Sequence, residues 1–257
     1  MNVIKDLYNY RELLKTNIKK DVGGKYKNSF LGVIWSFINP LLQIAVYALV
    51  FQVILKSEIP NYTVYLCCGL IPWQYFSAVV LRGAASIIDN GGIIKKVYFP
   101  REILPISVVT SEGVNFIIST VIILGFVIFG GIGLSFNILW YFVILAIQYV
   151  VSIGVALIVS SLSVYFRDLL HLLGVFIQLL FYATPIVYAS SSVPQELQWL
   201  IKINPMTYLI EGYRNIFYNK VPPDVKSLLI ALAMGIVLCV IGYFVFKKLE
   251  KGFAEEF

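Results

Sequence analysis

The sequence predicts an all-α polytopic membrane protein with six transmembrane helices. Of 257 residues, 59% are hydrophobic and only 13% are charged, against about 25% charged in soluble domains. Charge is absent from residues 28–55, 59–81, 113–166, 169–195 and 227–246, and a crossing helix needs about 20 apolar residues. Cations crowd the ends of these runs. In such a chain the net charge of +6 reports topology and not nucleic-acid binding.

Residues 3–22 read as an amphipathic helix. Val3, Leu7, Tyr10, Leu14 and Ile18 recur at helical steps, and Arg11, Lys15 and Lys19 form a basic row. Such a helix suits the membrane surface, with its lysines toward lipid headgroups; packing on a soluble partner is the alternative. Gly23-Gly24 ends it. The first thirty residues are too polar for a cleavable signal peptide, so the first span is expected to serve as an uncleaved anchor.

The 113–166 run is long enough for two crossings, broken at the turn-rich Gly130-Gly131-Ile132-Gly133-Leu134-Ser135-Phe136-Asn137. The spans then fall roughly at 31–55, 62–87, 104–129, 138–164, 169–189 and 226–246, within a single domain, 1–257. Arg167-Asp168 fills the tight turn between the fourth and fifth. Of the 20 Lys and Arg, seven lie in residues 1–30, four from Arg82 to Arg101, one at Arg167 and three at Lys247, Lys248 and Lys251. Only Lys56, Lys202, Arg214, Lys220 and Lys226 fall on the other side. Fifteen against five puts both termini in the cytoplasm.

Two polar stretches carry the functional expectations. Asn90 to Pro105 is then cytoplasmic, with three cations, a Gly-Gly pair and two prolines. Phe99-Pro100-Arg101 is expected to expose an aromatic and a cation beside a rigid turn, which suits a partner's groove. Residues 190–225 are then external. Pro194–Ile203 and Met206–Asn219 read as short helices split by Asn204-Pro205, because Pro205 cannot continue one helix but starts the next well. Trp199, Leu200, Ile201, Tyr208, Leu209, Phe217 and Tyr218 are too apolar for free solution, so both helices are expected to dip into the membrane. Glu211 and Arg214 are placed to pair at i, i+3. A plain cap on the bundle and a gate over a pore are equally compatible with this pattern.

Chemistry is scarce. Gly23-Gly24-Lys25 lacks the spacing of a phosphate-cradling loop. One histidine, His171, and few acids assemble no catalytic triad or zinc cluster. Cys67, Cys68 and Cys239 sit in apolar runs and read as small apolar filler. The intramembrane acid is Glu112, near a candidate partner, Arg82; a structural ion pair is expected ahead of proton coupling. Tyr47, Phe51, Trp73, Phe76, Phe181, Tyr182 and Tyr188 lie within the expected spans. Such rings suit the C–H faces of sugars, although packing against core or lipid would use them too.

Tyr26 to Pro40 contains Lys27, Ser29, Leu31, Gly32, Trp35 and Pro40 in the pattern K-x-S-x-L-G-x-x-W-x-x-x-x-P. It resembles the first-span motif of ATP-binding-cassette type-2 export permeases, the exporters of O-antigen, capsule and teichoic acid. Asn90–Pro105 resembles their coupling region, and Asn204-Pro205-Met206-Thr207 with Arg214 their external gate segment. The resemblance runs in order along almost the whole chain. It implies a homodimer around a central path, moving a lipid-linked polysaccharide across the bacterial inner membrane. It also implies two separate ATPase subunits that bind ATP and Mg, so the chain itself is no enzyme and holds no cofactor. Ile93, Lys95, Lys96, Tyr98, Phe99, Pro100 and Arg101 become candidate ATPase contacts. Tyr47, Phe51, Trp73, Phe76, Phe181 and Tyr182 become candidate channel rings. Asn204, Pro205, Glu211 and Arg214 become candidate gate residues. A lipid or drug permease of the same type is disfavoured by the short 56–61 loop, and a secondary transporter by the scarcity of intramembrane charge. A membrane scaffold for an ATPase is the alternative of another kind.

Overall fold

The structure, a computed structural model, describes residues 8–24, 34–253, 255 and 256. The start of the amphipathic segment and Lys27 to Gly32 of the first-span motif lie outside the described residues. Helix α1 covers Arg11–Gly24. Its half-buried face, including Leu13 and Ile18, turns toward the bundle, while Arg11, Lys15, Lys19 and Lys20 are exposed. The Ser111 hydroxyl donates to Asp21 at 3.3 Å, tying α1 to the third long helix.

Helix α2 spans Trp35–Ala48 and continues as a wider turn through Leu49–Ile54. It exposes Leu41, Leu42, Val46, Leu49 and Val53, an apolar face that only lipid or another protein would cover. Helix α3, Tyr62–Ala85, is the central element and is buried along most of its length. A short turn at Ile88–Asn90 leads to α4, Gly91–Ile94, and then α5 runs over Ile103–Phe129. The expected break follows, with Gly131 at φ 75° and Gly133 at φ 76°, values that favour glycine. The tight turn Phe136–Trp140 opens α6, Tyr141–Tyr165.

Helix α7 is Leu169–Ala183, and here the expected fifth span is corrected. Residues 184–189 are not helical. Thr184 is extended at φ −101°, ψ 135°, because the ring of Pro185 disfavours helical backbone in the residue before it. At 15 residues, α7 is about 22 Å long, short of the roughly 30 Å hydrocarbon core. Five helices among the described residues are long and apolar enough to cross a membrane, and α7 is the shorter sixth.

Beyond it, α8 covers Gln198–Lys202, α9 covers Pro205–Arg214 with a wider turn over Asn215–Asn219, and α10 covers Val225–Leu249. Asp224 caps α10, accepting from the backbone N–H of Lys226 and Ser227 at 3.3 and 3.1 Å. The Ser227 hydroxyl, and then these N–H groups, hold its carboxyl below the usual carboxylate range.

The longest seam joins α6 to α10, and it is made of glycine. A Cβ on Gly154 would come within 2.6 Å of both Cys239 N and Leu238 C, and one on Gly242 within 2.6 Å of the Gly154 carbonyl oxygen. Small residues let backbones approach where no hydrophobic force separates helix from lipid. At one end of the bundle, Tyr62 donates to the Val187 carbonyl and Asn137 to that of Lys220. At the other, Ile87, Ile94, Phe99, Leu104, Phe246 and Phe253 form a second buried cluster, with Tyr10 and Leu13 of the α1 segment against it.

Candidate functional site

A cavity of about 710 Å³ lies between α2, α3, α5 and α7. Tyr47, Trp73, Phe181 and Tyr182 line it. Tyr47 stacks on Phe181 at 5.3 Å between centroids, with Trp73 edge-on to Phe181 at 6.0 Å. Phe51 and Phe76 are not in the wall. Phe76 is buried against Trp73, and Phe51 stacks toward Tyr62 at the far end of α2. Three residues of helix turn Phe76 about 60° from Trp73, enough to move it from cavity wall to core.

Between the rings stand amides that the aromatic pattern did not single out. Asn39, Gln43, Gln74, Asn115 and Gln178 all line the cavity, and Gln74 donates to Gln43 at 2.9 Å. Their signal was present in the sequence. Asn39 and Gln43 sit at i, i+4 in a charge-free span, where an amide facing lipid is costly and therefore turns inward. Amides offer both donors and acceptors, so the wall alternates ring faces with uncharged hydrogen-bonding groups.

Glu112 also faces the cavity, 3% exposed. Its carboxylate accepts from the Arg82 guanidinium and, at 3.2 Å, from the Asn115 amide. The structure thus brings Arg82 and Glu112 together. Replacing Glu112 leaves Arg82 without its carboxylate, a cost that solvent partly screens because the Arg82 side chain is 37% exposed. Accordingly Glu112→Gln is expected to lower the folded yield in detergent at least threefold while leaving the pH profile of transport unchanged. Wild-type yield with a lost pH dependence would assign Glu112 to proton coupling instead.

In the expected coupling segment, Ile93, Lys95, Lys96 and Tyr98 are exposed, Tyr98 to 87%. The expectation that Phe99 and Arg101 are offered to a partner is corrected. Phe99 is 6% exposed and packs in the second buried cluster, because the turn at Pro100 folds it inward. Pro100 is half-buried. Arg101 donates to the Glu250 carbonyl and lies 5.8 Å over the Phe253 ring. The outward surface is Ile93, Lys95, Lys96, Val97 and Tyr98.

In the expected gate segment, Asn204 caps α9. Its Oδ1 accepts from the Met206 N–H at 3.0 Å and its amide donates to Thr184 at 2.8 Å. Pro205 opens the helix, where its missing N–H costs nothing. The expected Glu211–Arg214 pair is corrected. Glu211 accepts from the Ser190 hydroxyl. Arg214 is 4% exposed and donates to the carbonyls of Pro185 and Ile186, each at 2.6 Å. The planar guanidinium carries several N–H donors, so its two terminal nitrogens reach both carbonyls at once. Tyr62 and Tyr65 donate to the next two, Val187 and Tyr188, at 2.9 and 3.0 Å. Four consecutive carbonyls after α7 are therefore held by α3 and α9. Deeper in, Gln148 donates to the Pro72 carbonyl at 2.9 Å and accepts from Tyr213 at 2.8 Å.

This arrangement is a helical membrane bundle with an aromatic and amide-lined cavity, an exposed surface at one end and a clamped segment at the other. Residues 12–218 match the ABC-2 type transporter family. The chain belongs to the ABC-2 type transporter family. It is 38% identical over 245 residues to an O-antigen export system permease protein RfbA of Klebsiella pneumoniae, covering 95% of this chain and 94% of that one. The RfbA permease of Myxococcus xanthus is 33% identical over 257 residues, 99% of each chain. The polysialic acid transport protein KpsM of Escherichia coli is 24% identical over 195 residues, 73% of each. The ABC-2 match takes in α1 through the turn after α9, so the cavity, the Tyr98 surface and the Arg214 clamp all lie within it.

Proposed function

We propose that this chain is the membrane-spanning subunit of an ATP-driven exporter of a lipid-linked polysaccharide, with O-antigen as the expected cargo. The observation that carries the reading is the cavity wall. Ring faces pack against sugar C–H surfaces and amides exchange hydrogen bonds with hydroxyls. Among the described residues, the one carboxylate in the wall is paired with Arg82, so those residues place no net charge there to hold a passing glycan. The 38% identity to an O-antigen export permease supports the choice of cargo.

The working unit is a homodimer with two ATP-binding subunits, placed in the bacterial cytoplasmic membrane with both termini cytoplasmic. The cavity opens at the surface of the chain, and a second copy facing it would complete the wall. ATP, Mg and hydrolysis belong to the partner in this reading, and the exposed Ile93, Lys95, Lys96 and Tyr98 offer it a contact. The bias of cations toward the coupling end supports the orientation.

The test is complementation of a deletion strain with Gln43→Leu combined with Gln74→Leu. Surface polymer is expected to fall at least tenfold and cytoplasmic polymer to accumulate, at a wild-type level of membrane protein. Full surface polymer from that variant defeats the cavity as the path.

A further inference from the structure

The coupling segment does not end in its own helix. Glu102, near its C-terminal end, is 3% exposed. One of its oxygens meets Lys247 Nζ near the end of α10, while Oε2 is buried without a partner among the described residues. Lys247 also donates to both oxygens of Glu250, at 3.0 and 3.2 Å. Arg101 donates to the Glu250 carbonyl and covers the Phe253 ring. Phe253 is buried edge-on against Phe246 at 5.5 Å, in the cluster that also holds Phe99 and Ile94. Tyr165 at the end of α6 donates to the Leu249 carbonyl at 2.8 Å.

One cation, Lys247, thus bridges the carboxylates of Glu102 and Glu250, with Arg101 bound to a backbone carbonyl beside them, across a joint between sequence-distant segments. Among these charged groups only Glu102 is fully buried, and moving Lys247 away would leave that carboxylate without its cation, which limits the alternative arrangements of the joint. Helix α10 is in turn locked to α6 along the Gly154–Gly242 seam. Neither α6 nor α10 contributes to the cavity wall.

We infer that the α10 end receives the coupling stroke, with Glu102, Lys247 and Arg101 as positioning residues that staple the coupling segment to it. Displacement of the exposed Ile93–Tyr98 surface then moves the α6–α10 pair as a unit against the cavity-lining α3 and α5. The inference rests on the reading that this surface meets the ATP-binding subunit.

The experiment uses the full complex of this chain with its ATP-binding subunit in lipid nanodiscs. Amide hydrogen exchange is measured with and without ATP, and export per ATP hydrolysed is measured in proteoliposomes. Tyr98→Cys cross-linking to the ATPase tests the underlying reading separately. In the wild type, ATP is expected to change exchange at 244–253 together with 91–98. Combined E102Q and K247M removes both charges of the buried pair, and the Glu250 carboxylate that Lys247 also held is part-exposed to solvent. It is expected to keep the ATPase bound and hydrolysing, to lose the change at 244–253, and to lower export per ATP at least tenfold. Lys247→Arg, which keeps the cation between both carboxylates, is expected to stay within twofold of wild type. A Tyr98→Cys cross-link with no ATP-dependent change at 244–253 overturns the staple alone, whatever the variants do. Wild-type export per ATP in the double variant overturns it equally. Absence of the cross-link overturns the coupling reading and the staple with it.

Discussion

Gly154→Val is expected to destabilise the folded protein severely. A Cβ at this position would sit 2.6 Å from two backbone atoms of α10, Leu238 C and Cys239 N. A crowding side chain can change rotamer, but a backbone cannot. Overpacking ordinarily costs about 1–3 kcal/mol when side chains yield. Here α6 and α10 must part instead, which also strains the Cys239 thiol bond to the Val150 carbonyl, 3.1 Å long, and opens gaps beside Gly235 and Gly242. The loss is expected to exceed about 3 kcal/mol, a large share of the roughly 5–15 kcal/mol that holds a typical protein folded. Yield of monodisperse protein on size exclusion, with melting followed in detergent, reads the effect. Gly125→Ala on α5 is the control: nothing lies within 4 Å of its Cβ, and alanine favours the helix by about 1 kcal/mol. Its melting temperature is expected to be unchanged or higher. A Gly154→Val protein that melts with the wild type removes the seam from the account of stability.

Arg214→Ala is expected to cost about 3–5 kcal/mol. Two opposing effects decide this. Burying a guanidinium is expensive, and an apolar replacement recovers that cost. Against it, the carbonyls of Pro185 and Ile186 lose their 2.6 Å donors, at about 1–3 kcal/mol for each buried orphan. The cation over the Tyr65 ring at 3.6 Å contributes about 2 kcal/mol when desolvated. The orphaned carbonyls tip the balance, because no other donor among the described residues reaches them after α7 has ended at Ala183. Arg214→Lys is expected to recover less than half, since one ammonium cannot span two carbonyls and also lie flat on Tyr65. Melting temperature and protease sensitivity of residues 184–192 report both variants. Equal stability of Arg214→Ala and wild type refutes the clamp.

Both predictions turn on residues whose type was plain in the sequence but whose partners were not. The spans were legible because lipid leaves few alternatives: charge-free runs of sufficient length become helices. Their ends were legible where glycine, proline or Asn-Pro interrupt the backbone, as at 130–137 and 204–205. Residues 184–189 were misread as helix because hydropathy continues through them, while Pro185 had already turned Thr184 out of helical backbone. Glu211 and Arg214 looked like a surface pair because sequence spacing is silent on depth. Phe99 looked exposed because a loop aromatic beside a cation gives no hint of Phe246 and Phe253, about 150 residues away in the chain.

By itself, the sequence determined that this is a helical membrane protein, where its helices run, and which family its motifs resemble. Those features follow from local backbone chemistry and from the intolerance of lipid for unpaired polar groups. Only the tertiary structure decided which rings and amides share one cavity, which glycine meets which backbone, and that Arg101 and Glu102 contact the end of α10. Each of those depends on the rotation of one helix against another. That rotation is set by close packing between segments far apart in the chain.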